Sequence, residues 1–156
     1  MIVACRPATA EDENFLCGLI TRTTAEALHA SLWPEQIRAP LLRTQFKARQ
    51  QGFAQNYPEA AHLIIVLDGA PAGRLVVSRR GDEIRIVDIA VLPERQKMGI
   101  GAAVLRELIE ESNRTRKPLR LTVDIMNPAI RLYESLGFRR IAGDQTQHFM
   151  ERSPDF

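Results

Sequence analysis

Apolar positions along the chain recur with two different periods, and the switches between those periods mark the elements. Residues 2–6 read as a short strand that Pro7 ends. From Asp12 to about residue 29 the pattern turns helical, with Phe15, Leu16, Leu19 and Ile20 on one side. Trp33-Pro34 marks a break. After Pro40, Leu42, Phe46, Phe53 and Tyr57 recur at helical spacing until Pro58 stops the helix. Two continuous apolar runs come next, 62–67 and 73–77, and the turn residues between them, 68–73, predict a hairpin. Arg80-Gly81-Asp82 is a second turn, and residues 83–91 add a third strand that Pro93 ends. Residues 99–113 are helical, with Val104, Leu105, Leu108 and Ile109 as the buried stripe. Residues 119–125 form a strand. Asn127 as N-cap, Pro128 at the first position and Gly137 past the end predict a short helix between them. Residues 138–141 and 148–152 pair as a last hairpin. The order β-α-α-β-β-β-α-β-α-β-β predicts an α/β fold with a mixed sheet in one domain over residues 1–156.

Composition narrows the function without choosing it. A chain of 156 residues, 45% apolar and 26% charged, can bury an ordinary core. A net charge of +2 is too weak a field to argue for nucleic acid or a membrane surface. Cys5 and Cys17 form no CxxC pair, and no His/Cys cluster has zinc spacing, so no metal site is expected. Both cysteines read as small buried residues in a reducing compartment. The first residues lack a charged leader with an apolar stretch, and no apolar run reaches membrane-spanning length. The expected location is the cytoplasm.

The chemistry lies in residues 88–102, Asp-Ile-Ala-Val-Leu-Pro-Glu-Arg-Gln-Lys-Met-Gly-Ile-Gly-Ala. A buried strand ends at proline, a short polar loop comes after it, and two glycines open a helix. Successive N–H groups in such a loop converge on one spot, backed by the positive helix end. This is a cradle for a pyrophosphate. A P-loop would need Gly-Lys-Ser/Thr here, and a dinucleotide fingerprint would need a third glycine. Gly99-Ile100-Gly101-Ala102 has neither.

Gln96-x-x-Gly99-x-Gly101 resembles the pyrophosphate loop of the GNAT superfamily of acetyl-CoA-dependent N-acetyltransferases. A second block, from Asn127 through Ala129, Leu132-Tyr133 and Gly137-Phe138, is similar to that family's downstream block. Lys97 stands where many members carry glycine, and Asn127 lies six residues before Tyr133, where many have seven. The resemblance implies a mostly antiparallel central sheet of seven strands flanked by four helices, with two splayed central strands holding acetyl-CoA. It implies that the amides of Gln96, Lys97, Met98, Gly99, Ile100, Gly101 and Ala102 hold the CoA diphosphate. Ile89, Ala90 and Val91 would then offer backbone groups to pantetheine, Asn127 would add a contact, and Tyr133 would be the general acid.

Each role has a plainer counterpart. Tyr133 also reads as a core tyrosine on a short helix, and Asn127 as a helix cap alone. Asp88, inside an otherwise apolar strand, is the candidate base, with Glu83 and His148 behind it. A buried carboxylate needs a reason, and pairing with an arginine or a backbone group would also supply one. Arg95, Lys97 and Arg131 could add charge near the phosphates or could be solvated surface. The expected reaction is direct acetyl transfer to a primary amine in a ternary complex. The acceptor is expected to be a small molecule. The rivals are a non-catalytic acyl-CoA sensor and an acetyltransferase acting on a protein N-terminus or lysine. Trp33, Phe46, Phe53 and Tyr57 could line the acceptor pocket. The excess of Arg22, Arg38, Arg43, Lys47 and Arg49 over acids in that region hints at an acceptor with a carboxylate. A homodimer is compatible with the family resemblance.

Overall fold

The structure is a computed structural model that describes residues 1–28 and 33–155. In chain order its elements are β1 (Val3–Pro7), α1 (Glu13–Leu28), α2 (Glu35–Asn56), β2 (Ala61–Leu67), β3 (Ala70–Arg79) and β4 (Ile84–Val91). They continue with α3 (Ile100–Thr115), β5 (Leu119–Asp124), α4 (Ile130–Ser135), β6 (Arg139–Gly143) and β7 (Gln147–Arg152). The seven strands form one sheet in the order β1-β2-β3-β4-β5-β7-β6. Among the described residues, only β4 and β5 run parallel.

Both faces of the sheet are covered over β2 and β3. Neighbouring residues Ile64 and Ile65 are each fully buried and point to opposite faces, as the two-residue strand period requires. Ile64 packs with Leu16, Leu19 and Ile20 of α1 and Phe46 of α2. Ile65 joins the larger core with Leu75, Val77, Ile84, Ile86, Leu119 and Leu121, closed by Val104, Leu105 and Leu108 of α3. The stripe expected on residues 99–113 is therefore the face that α3 buries.

Most boundaries move by one or two residues from the sequence expectation, and three differences have a local explanation. The β2–β3 turn is only Asp68-Gly69, both left-handed at φ 50° and 86°, the two-residue hairpin turn that suits right-handed strand twist. β3 therefore starts at Ala70 and includes Pro71, which sits opposite Val66 at a register shift, where a missing N–H is tolerated. α2 starts at Glu35 rather than after Pro40, because the Pro34 carbonyl accepts the N–H groups of Ile37 (3.0 Å) and Arg38 (2.9 Å). Pro40 then lies inside the helix, near its start. α4 starts at Ile130, capped by Ala129, not at Asn127. Residue 29, the expected end of α1, lies outside the described residues. Cys5 and Cys17 are free and half-buried rather than fully buried.

At Gly73, β3 leaves no room for a side chain against β4. A Cβ there would stand 2.3 Å from the Ala90 carbonyl oxygen. Both atoms belong to backbone, so neither can rotate away. Gly73→Ala is expected to cost about 1–3 kcal/mol of stability, the range for overpacking a tight site. Urea denaturation checks this, and an unchanged midpoint would refute the strain.

Candidate active site

The sheet opens between β4 and β5. Their ladder pairs Ile84 with Leu119, Arg85 with Arg120 and Ile86 with Leu121, then stops, although both strands continue. The cause is visible in the β3–β4 ladder. Val77 opposes Ile86, but Val76 opposes Asp88, so Val87 is an extra, bulged residue. A bulge bends its strand and re-aims the residues beyond it. Past this one, Ile89, Ala90 and Val91 keep β3 as partner on one side only, while β5 stays with β7 to Asp124. The backbone of β4 on the side of β5 is thus left facing a gap, and such groups call for a partner. The Val91 carbonyl accepts one bond there, from Gln96 Nε2 at 3.1 Å.

The loop after β4 carries the second half of the site. Pro93–Arg95 makes one 3₁₀ turn, and the Gln96 N–H bonds the Pro93 carbonyl at 3.3 Å. Lys97 and Gly99 are both left-handed, at φ 64° and 84°, with Met98 between them. Alternation of this kind turns successive N–H groups toward one side and forms an anion-binding concavity. From Lys97 to Ala102 the backbone N–H groups donate to no protein acceptor among the described residues, and the first protein bond is Ala103 N–H to the Gly99 carbonyl at 3.0 Å. These donors lie at the positive end of the sixteen-residue α3. Ile100 is buried and fixes the helix start, while Gln96, Lys97 and Met98 are exposed. The two glycines differ in role. Gly99 is required by its φ. A Cβ on Gly101 would only touch Leu132 at 3.8 Å, so protein packing does not demand glycine there.

Tyr133, on α4, is buried, with its ring 5.7 Å from that of Phe138. Burial, helped by the charge of Asp88, pushes its phenol up to about 12. Its hydroxyl makes no hydrogen bond among the described residues. Asp88 has the partner that the plainer reading foresaw. Arg74 of β3, 1% exposed, donates to Asp88 Oδ2 through Nη2 (2.6 Å) and Nε (3.1 Å). Arg74 also donates to Gln50 Oε1 of α2 at 2.6 Å and lies 5.2 Å from the centre of the Phe53 ring. The Oδ1 atom of Asp88 takes no bond among the described residues. Asn127 is exposed, and its Oδ1 accepts the Ala129 N–H at 2.9 Å, so it turns the chain from β5 toward α4. Glu83 is held by Arg85 at 2.7 Å and Arg120 at 3.3 Å, at the other end of β4 from residues 89–91. His148 sits in the β5–β7 ladder opposite Val123.

On the α2 side of the gap lies a cleft of about 260 Å³. Its walls are Arg49, Gly52, Phe53, Asn56 and Tyr57 on one side and Arg85, Ile86, Val87 and Thr122 on the other. Of the four aromatics expected at an acceptor pocket, Phe53 and Tyr57 line it. Phe46 is core instead, and Trp33 is half-buried elsewhere. Arg74, Gln50 and the Val87 bulge went unnoticed in the sequence. The signal for the ion pair was an arginine and an aspartate set among apolar residues in the middle of two adjacent strands.

Among the described residues no three His, Cys, Asp or Glu side chains could hold a metal, and no helix is long and apolar enough to cross a membrane.

The chain is similar to known proteins over this whole framework. It is 36% identical over 96 residues to the ribosomal protein bS18-alanine N-acetyltransferase of Escherichia coli strain K12, a match spanning 60% of this chain and 65% of that relative. The crystal structure of the corresponding Escherichia coli enzyme superposes with a TM-score of 0.63 at 23% identity, covering 99% of this chain and 96% of that one. The PaiA N-acetyltransferase of Thermoplasma acidophilum, solved in complex with coenzyme A, superposes with a TM-score of 0.74 at 18% identity over 98% of this chain and 99% of its own. Residues 25–138, which run through the gap, the amide loop and α4, match the model of the Acetyltransferase (GNAT) family, and the chain belongs to that family.

Proposed function

We propose that this protein transfers an acetyl group from acetyl-CoA to a primary amine by direct attack within a ternary complex. The observation that supports it best is the row of unused N–H groups from Lys97 to Ala102, opening onto the β4–β5 gap. An anion with several acceptor oxygens, such as a diphosphate, satisfies that row. Ile89, Ala90 and Val91 then bond the amide-rich pantetheine arm as an added strand would. Asn127 lies at the far rim, its side-chain oxygen already engaged by Ala129, which leaves its amide nitrogen for a contact.

Acetyl-CoA supplies the activated thioester. Asp88 accepts the proton of the acceptor ammonium, by Oδ1 or through a water, so that the nitrogen can attack. As the C–N bond forms and the C–S bond breaks, Tyr133 donates its phenolic proton to the departing sulfur, the nitrogen gives up its second proton to restore the phenol through a water, and the proton held by Asp88 passes to solvent. A phenol held at about 12 keeps its proton at neutral pH, so the proton is present when the thiolate develops. A sensor that only bound acyl-CoA would have no use for a buried phenol without a partner beside the gap.

The acceptor is read as a small amine, which the cleft volume of about 260 Å³ supports. A polypeptide N-terminus is the second reading, favoured by the relative named for acting on the alanine of a ribosomal protein.

Isothermal calorimetry with acetyl-CoA and desulfo-CoA tests the core of the proposal. Binding of both in the micromolar range, about −8 kcal/mol, is expected. No binding of either would sink it. Gly99→Ala forces a side chain into left-handed backbone, at about 1–2 kcal/mol, and turns the amide row. A loss of about tenfold in CoA affinity is expected from that variant.

A further inference from the structure

We infer that the amine acceptor of this protein carries a carboxylate, and that Arg49 binds it in the cleft between α2 and the β4–β5 gap. The inference rests on the acetyltransferase reading and adds the acceptor class to it.

Charge balance around the cleft points there. Five arginines line the cleft, the hollow beside it, or the floor beneath: Arg49, Arg74, Arg80, Arg85 and Arg120. Four of them already have carboxylates. Arg74 holds Asp88 at 2.6 Å, Arg80 holds Glu59 at 3.0 Å, and Arg85 holds Glu83 at 2.7 Å. Arg120 bridges Glu83 at 3.3 Å and Glu151 at 2.8 Å. Arg49 has no carboxylate or other partner among the described residues. Among the described residues, the cleft wall contains no acid. It therefore has one uncompensated positive charge, and a second cation on the acceptor would meet repulsion without relief.

Position makes that charge usable. Arg49 and Phe53 are four residues apart on α2 and share a helix face. Phe53 lies over Arg74, which grips Asp88. A ligand in the cleft would lie along Phe53 and Tyr57, with the Arg49 fork on one wall and Val87, the neighbour of Asp88 in β4, on the other. A guanidinium fork matches a carboxylate in two parallel bonds. The carboxylate could belong to a free amino acid or to an acidic side chain near a polypeptide N-terminus.

The test is equilibrium binding, read by nuclear magnetic resonance titration of the whole chain with reaction products. The probes are N-acetylphenylalanine, its carboxamide, and the capped peptide N-acetylalanyl-glutamyl amide. The carboxylates are expected to bind at least about tenfold more tightly than the carboxamide, and Arg49→Ala, an exposed helix position, is expected to erase the difference. Tighter binding of the peptide than of N-acetylphenylalanine assigns the carboxylate to a polypeptide, and the reverse assigns it to a free amino acid. Equal binding of acid and carboxamide, a preference that survives Arg49→Ala, or no binding of any probe would overturn the inference. Coenzyme A is titrated separately into the same protein. Failure of that titration alone removes the transferase reading, whereas the carboxylate preference stands or falls on its own data.

Discussion

Tyr133→Phe is expected to lower kcat by about a hundredfold or more, the usual contribution of a general acid. The substitution removes one oxygen from a buried ring whose hydroxyl has no partner among the described residues, so it leaves the packing against Phe138 and the amide loop intact. Acetyl-CoA affinity should therefore stay within about twofold. Steady-state kinetics beside calorimetry separates the two quantities. A loss of affinity with unchanged kcat would make Tyr133 a binding residue, and no change in either would remove it from the site. Its raised pKa adds a pH signature. The proton is held up to about pH 12, so the acid form persists where an ordinary tyrosine would begin to lose it, near 10. The wild-type kcat should show no alkaline fall from this group below about pH 11.

Arg74→Met should destabilise the fold by about 3–5 kcal/mol, because it leaves the Asp88 charge without its counterion in a largely buried place. Gln50 also loses the donor that ties α2 to the sheet. Removing both charges is a different matter. Arg74→Met with Asp88→Leu replaces the pair by apolar groups and should recover most of the stability, since such swaps are often neutral. Urea denaturation of the two variants decides the point. If the double variant is no more stable than the single, the pair is not what the arginine supports. Turnover should not recover in the double variant, because Asp88 is also the proposed base. That split between stability and activity distinguishes its two duties.

Most of the architecture was legible in the chain because burial imposed a period on it. The stripe from Val104 to Ile109 and the runs through Ile65, Val77 and Ile86 place α3 and the central strands without further help. The amide loop was legible because Gly99 and Gly101, opening a helix after a proline-ended strand, mark backbone that must stay uncovered, whereas the left-handed turn at Lys97 left no mark in its residue type. The features that escaped notice depend on two strands at once. The Val87 bulge leaves no mark in its own residue type, since valine suits any strand, and appears only as a register shift against Val76 and Val77. The pairing of Asp88 with Arg74 was open for a similar reason. Either residue alone could have faced water, and only the β3–β4 ladder with α2 laid over it brings them together. Pro40 misled because proline reads as a boundary, yet near a helix start it costs a single bond.

The three-pair ladder between β4 and β5 has a mechanical consequence. The β5–β7–β6 section meets the rest of the sheet along a seam only three residues deep, with α3 as its principal splint. Opening along that seam requires few ruptured bonds, so amide hydrogens on either side of it should exchange well before those of β2 and β3. An occupant lying in the gap acts as mortar. It should slow that exchange and raise the melting temperature with the logarithm of its free concentration above Kd, so the rigidity of this molecule rises and falls with the supply of its own cosubstrate.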